Sequence, residues 1–266
     1  MRIPKNTLVE QVLASAALAL CIGGWCTGAN AGVGEDCELR VAWDPYEPYS
    51  WSDDAAGPPR GYDIEVVSKV AGMIGCHLSF EELPWNEILV ALGEGRADLA
   101  VGTGYKPDRA TGSYFSESYR KEVVGLLVRS GTAAAFPGDS LHEVMGSGLK
   151  FGKTTDDTYD SEIMQALAQY PGQVLEPVSE ARNLERLLDE SIDGFLIEVN
   201  VGAALMRRAG VSDQLEFHPL AFNAGAYRLQ MSKETVPAWR VTEINAAIQE
   251  LAASGWLDRA IKAYGM

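Results

Sequence analysis

The chain is poor in the residues from which metal sites and many catalytic sites are built. Its 266 residues include three histidines and four cysteines. His142 and His218 lie far from His77, and no C-x-x-C or i, i+4 histidine pair occurs, whereas a zinc site needs four ligands at suitable spacing. Nor is there a phosphate-binding glycine loop, a dinucleotide-binding G-x-G-x-x-G turn or a nucleophile motif. We therefore expect no metal and no cofactor, and the hydrolase, nucleotide-binding and dehydrogenase classes have little support.

Positive charge is also scarce. Lysine and arginine number 22 against 37 acidic residues, a formal net charge of -15. Nucleic acids and anionic membranes are bound by clustered lysine and arginine that neutralise phosphate. We expect neither as a partner, and the acidic balance is typical of a soluble exported protein.

The chain has no apolar run long enough to span a bilayer comfortably. The run from residue 12 to residue 20 is too short and is followed by Gly23 and Gly24. Arg2 and Lys5 precede it, and small residues at 29–31 offer a cleavage site. These features predict a signal peptide over residues 1–31, removed on export to the periplasm. The alternatives are a membrane anchor and a lipoprotein attached at Cys21, which the bulky Leu20 disfavours.

Two cysteines, Cys37 and Cys76, remain after such cleavage. An even pair in an oxidising compartment most simply forms a disulfide. Each cysteine begins a predicted strand, and neighbouring parallel strands would bring the two sulfur atoms close together.

Strand and helix patterns alternate along the mature chain. Apolar residues of the segment Tyr62–Met73 fall on one helical stripe, Gly75 ends that helix, and the pattern restarts near Leu149. Such alternation predicts an α/β fold with mostly parallel sheets flanked by helices. We predict two lobes joined by two extended crossings, with residues 33–128 and 222–266 in the first lobe and 129–221 in the second.

Several segments carry a resemblance to a known family. They are Gly61–Glu65, Trp85–Leu92, Gly95–Leu99, Arg109 with Phe115-Ser116 six residues later, and Ser254–Leu257. In these the chain resembles the amino-acid-binding group of bacterial periplasmic solute-binding proteins (family 3). The resemblance implies a type II bilobed fold, a small solute captured between the lobes, delivery to an ABC transporter permease, and a monomer.

The resemblance also implies a ligand site, since a zwitterion needs a cation, an anion and an apolar wall. The guanidinium of Arg109 would bind the ligand carboxylate through two parallel hydrogen bonds. The alternative is that Arg109 is an ordinary loop arginine paired with Asp108 or Glu117. The other candidates are Thr103, Tyr105, Thr154 and Thr155 as polar contacts, Tyr46 and Trp85 as aromatic walls, and Asp44 and Glu198 as partners of the ammonium.

Some positions depart from the family pattern. Glu198 stands where an aspartate is common, and it alternatively faces water at a strand end. Lys106 stands where a threonine is usual, which would favour a ligand with more than one acid group unless it reaches solvent. The aromatic candidates are alternatively core residues.

Two other functions stay open. The same fold is used by periplasmic cyclohexadienyl-type dehydratases, in which Glu198 facing Arg109 and Lys106 would act as a general acid. An accessory or sensory binding protein is the third hypothesis. Our main expectation is a binding protein without enzymatic activity.

Overall fold

The computed structural model describes residues 37–54, 57–155 and 161–266. The predicted signal peptide at 1–31 lies outside these ranges. Within them, no helix combines the length and apolarity needed to cross a membrane.

The strands of the described chain join into one twisted sheet. They are Cys37–Trp43 (β1), Cys76–Glu82 (β2), Leu99–Gly104 (β3), Ser113–Phe115 (β4), Arg120–Arg129 (β5), Phe151–Thr154 (β6), Val174–Val178 (β7), Gly194–Glu198 (β8) and Leu215–Ser232 (β9).

The strand order shows the same arrangement twice. The sheet runs β2-β1-β3-β9-β5-β8-β6-β7, with β4 added to β9. In each half a first strand (β1 or β6) is flanked in parallel by the two strands that follow it. The third strand of each half then pairs antiparallel with a long strand, β9 or β5, and these two long strands pair with each other. We call β5 and β9 the crossing strands.

Helices cover the sheet. They are Tyr62–Met73 (α1), Trp85–Gly93 (α2), Leu141–Gly146 (α3), Ser161–Gln169 (α4), Glu180–Leu188 (α5), Val199–Ala209 (α6), Ala238–Ala253 (α7) and Trp256–Ala263 (α8).

Local sequence accounts for several of these boundaries. The predicted span of α1 is confirmed, and its buried residues form the expected stripe. Helix α5 is capped by Ser179, whose hydroxyl accepts a hydrogen bond from the backbone N–H of Arg182. Helices α7 and α8 are separated at Gly255, which has the left-handed φ of 66° that glycine adopts without strain.

The predicted disulfide is confirmed. Cys37 and Cys76 are register partners in the parallel pair β1-β2, and their sulfur atoms are bonded with Cα atoms 4.5 Å apart. The bond links the edge strand β2 covalently to β1.

Removing this disulfide should destabilise the protein without unfolding it. The bond closes a loop with a sequence separation of 39, and a loop of this length corresponds to roughly 3 to 4 kcal/mol of stability. We expect the double variant Cys37→Ser/Cys76→Ser to show a lower midpoint in urea than the oxidised wild type. The reduced wild type should match the variant, and an unchanged midpoint in both would contradict the prediction.

Candidate functional site

A pair of cations lies beyond the end of β3. The guanidinium carbon of Arg109 stands 5.2 Å from the centre of the Trp85 ring, and Nη1 donates a weak hydrogen bond to the Gly104 carbonyl oxygen at 3.4 Å. Burial lowers the pKa of both Arg109 and Lys106, and Arg109 lowers that of Lys106 further. Arg109 forms no ion pair with an acidic side chain of the described residues, so the alternative of a salt bridge to Asp108 or Glu117 is not what the structure shows. This cationic pair is suited to an anion.

Thr103 and Tyr105, the polar candidates near Arg109, differ in burial. Thr103 is fully buried, and its hydroxyl donates to the Arg228 carbonyl oxygen on β9 at 3.2 Å. Tyr105 is 56% exposed and packs edge-on against Phe115. It lines an open cavity of about 430 Å³, whose other lining residues are Phe115, Ser116, Glu117, Arg228 and Asn245. The Thr103 hydroxyl thus forms a hydrogen bond between β3 and β9, and Tyr105 is more accessible to solvent than Thr103.

The most deeply buried charge of this region was not predicted. Arg120 opens β5 and its side chain has no exposed surface. Nε and Nη2 donate to the two carboxylate oxygens of Asp63 at 2.7 and 2.9 Å, and Nη1 donates to Glu122. The guanidinium carbon lies 3.7 Å from the ring centre of Tyr49 and 4.6 Å from that of Tyr227. We call these five residues the Arg120 box.

A sequence signal for the box exists in retrospect. Arg120 and Glu122 are two residues apart on a strand, hence on one face, and that face continues into the buried Leu126 and Val128. Asp63 likewise lies among the buried residues of α1. A buried charge requires a partner, so these charges on apolar faces pointed to an internal ion pair.

Two acidic side chains of this region, Glu122 in the box and Asp44 close to Asp63, have raised pKa values. Burial raises the pKa of Glu122 to about 7, even though Arg120 opposes the shift. Burial also raises the pKa of Asp44 to about 6, with Asp63 and Glu82 adding repulsion. Asp44 forms no ion pair within the described ranges.

Glu198 closes β8 and caps α6. One of its carboxylate oxygens, Oε2, accepts hydrogen bonds from the backbone N–H groups of Asn200 and Val201 at 2.8 and 2.9 Å, and Oε1 accepts from the Asn200 side chain at 3.1 Å. Burial raises the pKa of Glu198, and these backbone bonds oppose the rise. The carboxylate is therefore held in place by the helix N-terminus, and it is 3% exposed and does not face bulk water.

Asn200 links the two halves of the sheet. Its side-chain nitrogen donates to the Tyr49 hydroxyl at 3.0 Å, and the Tyr49 ring stacks on Tyr46 with centres 5.7 Å apart. On the same helix, Nη1 of Arg208 donates to Oε2 of Glu47 at 3.3 Å. The loop after β1, which carries Asp44 and Tyr46, thus contacts α6.

The threonines of the second half occupy two environments. Thr154 is buried and its hydroxyl accepts a hydrogen bond from Asn183, while Thr155 is exposed and bonds through its backbone to Val178. Residues 156–160, which follow Thr155, lie outside the described residues.

The register of the sheet relates several of these groups to each other. Tyr227 on β9 is the register partner of Gly104 on β3 and of Arg120 on β5. Farther along β5, Val124 is the partner of Glu198. Gly104, to which Arg109 donates, therefore shares a row with the Arg120 box, and Glu198 lies in a different row, beside Val124.

Most of the chain matches a single family model. Residues 39–266 match the bacterial extracellular solute-binding proteins, family 3. The chain belongs to this family. The family match agrees with the resemblance seen in the sequence and with an extracytoplasmic setting.

Curated relatives and solved structures agree with this assignment. The chain is 32% identical over 123 residues to the L-cystine-binding protein TcyA of Bacillus subtilis, covering 41% of this chain and 44% of that protein. It is 28% identical over 152 residues to a "Probable histidine-binding protein" of Neisseria gonorrhoeae, covering 56% of each. The matches thus span about half the length of these relatives.

In structure, the chain is similar to an ancestral arginine-binding protein bound to arginine. The TM-score is 0.69 at 19% identity, covering 85% of this chain and 97% of that one. At this identity the likeness shows the fold alone, which is the predicted two-lobed type II fold.

The raised pKa of Glu122 predicts a pH-dependent stability. Between its ordinary value of 4.5 and about 7, the folded protein holds a proton that the unfolded chain has released, so stability falls as pH rises through this window. From about pH 5.5 to about pH 7.5 the loss should amount to roughly 1 to 2 kcal/mol. Asp44 acts in the same direction below about pH 6.

Thermal unfolding at the two pH values measures the effect. Glu122→Gln should flatten the pH dependence relative to wild type, while the matched substitution of an exposed glutamate on α2, Glu87→Gln, should leave it unchanged. Parallel pH profiles for all three proteins would contradict the assignment.

Proposed function

We propose that the protein is a periplasmic receptor that captures a small carboxylate-bearing solute, an amino acid or a relative, between its two lobes and delivers it to an ABC transporter. The observation that carries this proposal is the Arg109 guanidinium. It is half-buried, stacked on Trp85 and without an acidic partner among the described residues. A fork-shaped cation held in this way suits the two oxygens of a carboxylate.

Asp44 supplies the complementary charge. It is partly buried near Asp63 and lacks a cationic partner in the described chain, and its raised pKa of about 6 leaves it ionised at neutral pH. An ammonium group placed there would gain a charged hydrogen bond and relieve the repulsion from Asp63. Tyr46 and Trp85 would form the aromatic walls.

Ligand capture would proceed by closure of the lobes. We place the first lobe at residues 33–128 and 222–266 and the second at 129–221, with the crossing strands between them. The bonds from Asn200 to Tyr49 and from Arg208 to Glu47 join these lobes, and a ligand that touches both lobes would stabilise the same closed arrangement. We further propose that residues 1–31 direct the chain to the periplasm, that the mature protein is monomeric and that it binds no nucleic acid.

The geometry of Glu198 supports binding over dehydratase chemistry. Both of its oxygens accept hydrogen bonds at the start of α6. These hydrogen bonds point donors at both carboxylate oxygens and oppose the rise in pKa that burial causes, whereas a general acid needs an oxygen that carries a proton. We therefore infer a receptor without enzymatic activity.

Calorimetric titration of the mature protein with the common amino acids tests the proposal. At least one should bind, and Arg109→Ala should weaken that binding by roughly 30-fold or more, since a desolvated carboxylate would lose its charged partner at a cost of about 2 to 5 kcal/mol. Arg109→Lys should recover only part of the affinity.

Arg60 offers a matched control. Its guanidinium also stacks on a tryptophan, Trp51, at 5.0 Å, but it is paired with Asp53. Arg60→Ala should leave affinity unchanged. Equal effects of the two alanine variants, or full affinity in Arg109→Ala, would refute the role given to Arg109.

A further inference from the structure

The Arg120 box has the composition of a receptor for a guanidinium ion. All three guanidinium nitrogens of Arg120 donate to carboxylates, two of them to Asp63 and one to Glu122. The centres of two tyrosine rings lie 3.7 and 4.6 Å from the guanidinium carbon. Charged hydrogen bonds in the guanidinium plane and aromatic contacts to that cation are the two ways in which proteins hold such a group. Here the guanidinium belongs to the chain itself.

The box lies among the residues proposed to bind the ligand. Tyr227 connects it to Gly104, which accepts the hydrogen bond of Arg109. Tyr49 connects it to Tyr46 by ring stacking and to Asn200 beside Glu198 by a hydrogen bond.

No room is left in the box for a second cation. Gly102 approaches so closely that a Cβ atom there would stand 2.5 Å from an oxygen of Asp63 and 3.0 Å from Nη2 of Arg120. The glycine also has a φ of +61°, which disfavours any other residue. A ligand cation directed here would find both carboxylates already paired with the Arg120 guanidinium.

We propose that Arg120 occupies, from within the chain, the place that a cationic ligand side chain would take, and thereby restricts the site to amino acids with neutral or acidic side chains. This assignment of substrate class rests on the proposed receptor function. The charges near Arg109 agree with this substrate class. Lys106 is a second cation there, and it would favour a ligand with an additional acid group.

Removal of the Arg120 side chain should turn the box into an external guanidinium site. In Arg120→Ala, Asp63 and Glu122 would be left as buried acids between two tyrosines. About 20 mM guanidinium chloride, far below the denaturing range, should raise the melting temperature of this variant above its value in equimolar sodium chloride. The wild type should show no such rise.

Arg40→Ala is the matched control. Arg40 also donates through Nε and Nη2 to both oxygens of one aspartate, Asp98, but its side chain is 45% exposed and faces no aromatic ring of the described residues. Its alanine variant should gain no stability from guanidinium. If Arg120→Ala does not fold, the double variant Arg120→Ala/Glu122→Gln, which removes one uncompensated charge and keeps Asp63, carries the same test.

Binding measurements provide the second readout. The wild type should bind its best neutral or acidic amino acid at least about tenfold more tightly than arginine or lysine, and Arg120→Ala should narrow or reverse that ratio. Absence of guanidinium rescue in every Arg120 variant, or wild-type binding of arginine or lysine as tight as that of its best neutral ligand, would overturn the assignment. Failure of the wild type and all variants to bind any amino acid would instead refute the receptor function, and the substrate class would fall with it.

Discussion

The pairing of one buried guanidinium constrains the centre of this molecule. Arg120 has no exposed surface, and a charge in that position is tolerated only where partners are fixed around it. Those partners come from α1, from both crossing strands and from the loop after β1. Their relative positions follow from this one requirement. The same loop then reaches the second half of the sheet through the bond between Tyr49 and Asn200.

Charge is distributed unevenly around this centre. Arg109 and Lys106 form a cationic end without an ion-pair partner in the described chain, whereas Asp44 and Glu122 are acids whose pKa values burial raises toward neutrality. An unpaired guanidinium and an unpaired carboxylate are the two charges that a zwitterionic solute requires. The carboxylates of the box are already paired with Arg120, which is the basis for proposing that the site excludes ligands with cationic side chains.

Sequence patterns predicted much of this arrangement because they report local and repeating physics. The stripe of α1, the restart of the α/β pattern after Leu149 and the pairing of Cys37 with Cys76 are all borne out. The short strand β4 and the helix α3 were not predicted, because three and six residues carry too little periodicity. The locations of Thr103 and Glu198 followed from the chain, but their bonds did not. The Thr103 hydroxyl bonds to β9, and the Glu198 carboxylate bonds to the start of the helix that follows it. Such partners depend on which donors and acceptors the fold brings close.

Taken alone, the amino-acid sequence determined the fold class and the family, since these depend on the order of apolar residues, glycines and motif residues along the chain. Only the tertiary structure decided which charges meet. Arg120 lies 57 residues from Asp63 and is the register partner of Tyr227 on the second crossing strand. Such a cluster arises only when distant segments are folded against each other, because the cost of burying each charge depends on partners that sequence spacing does not reveal.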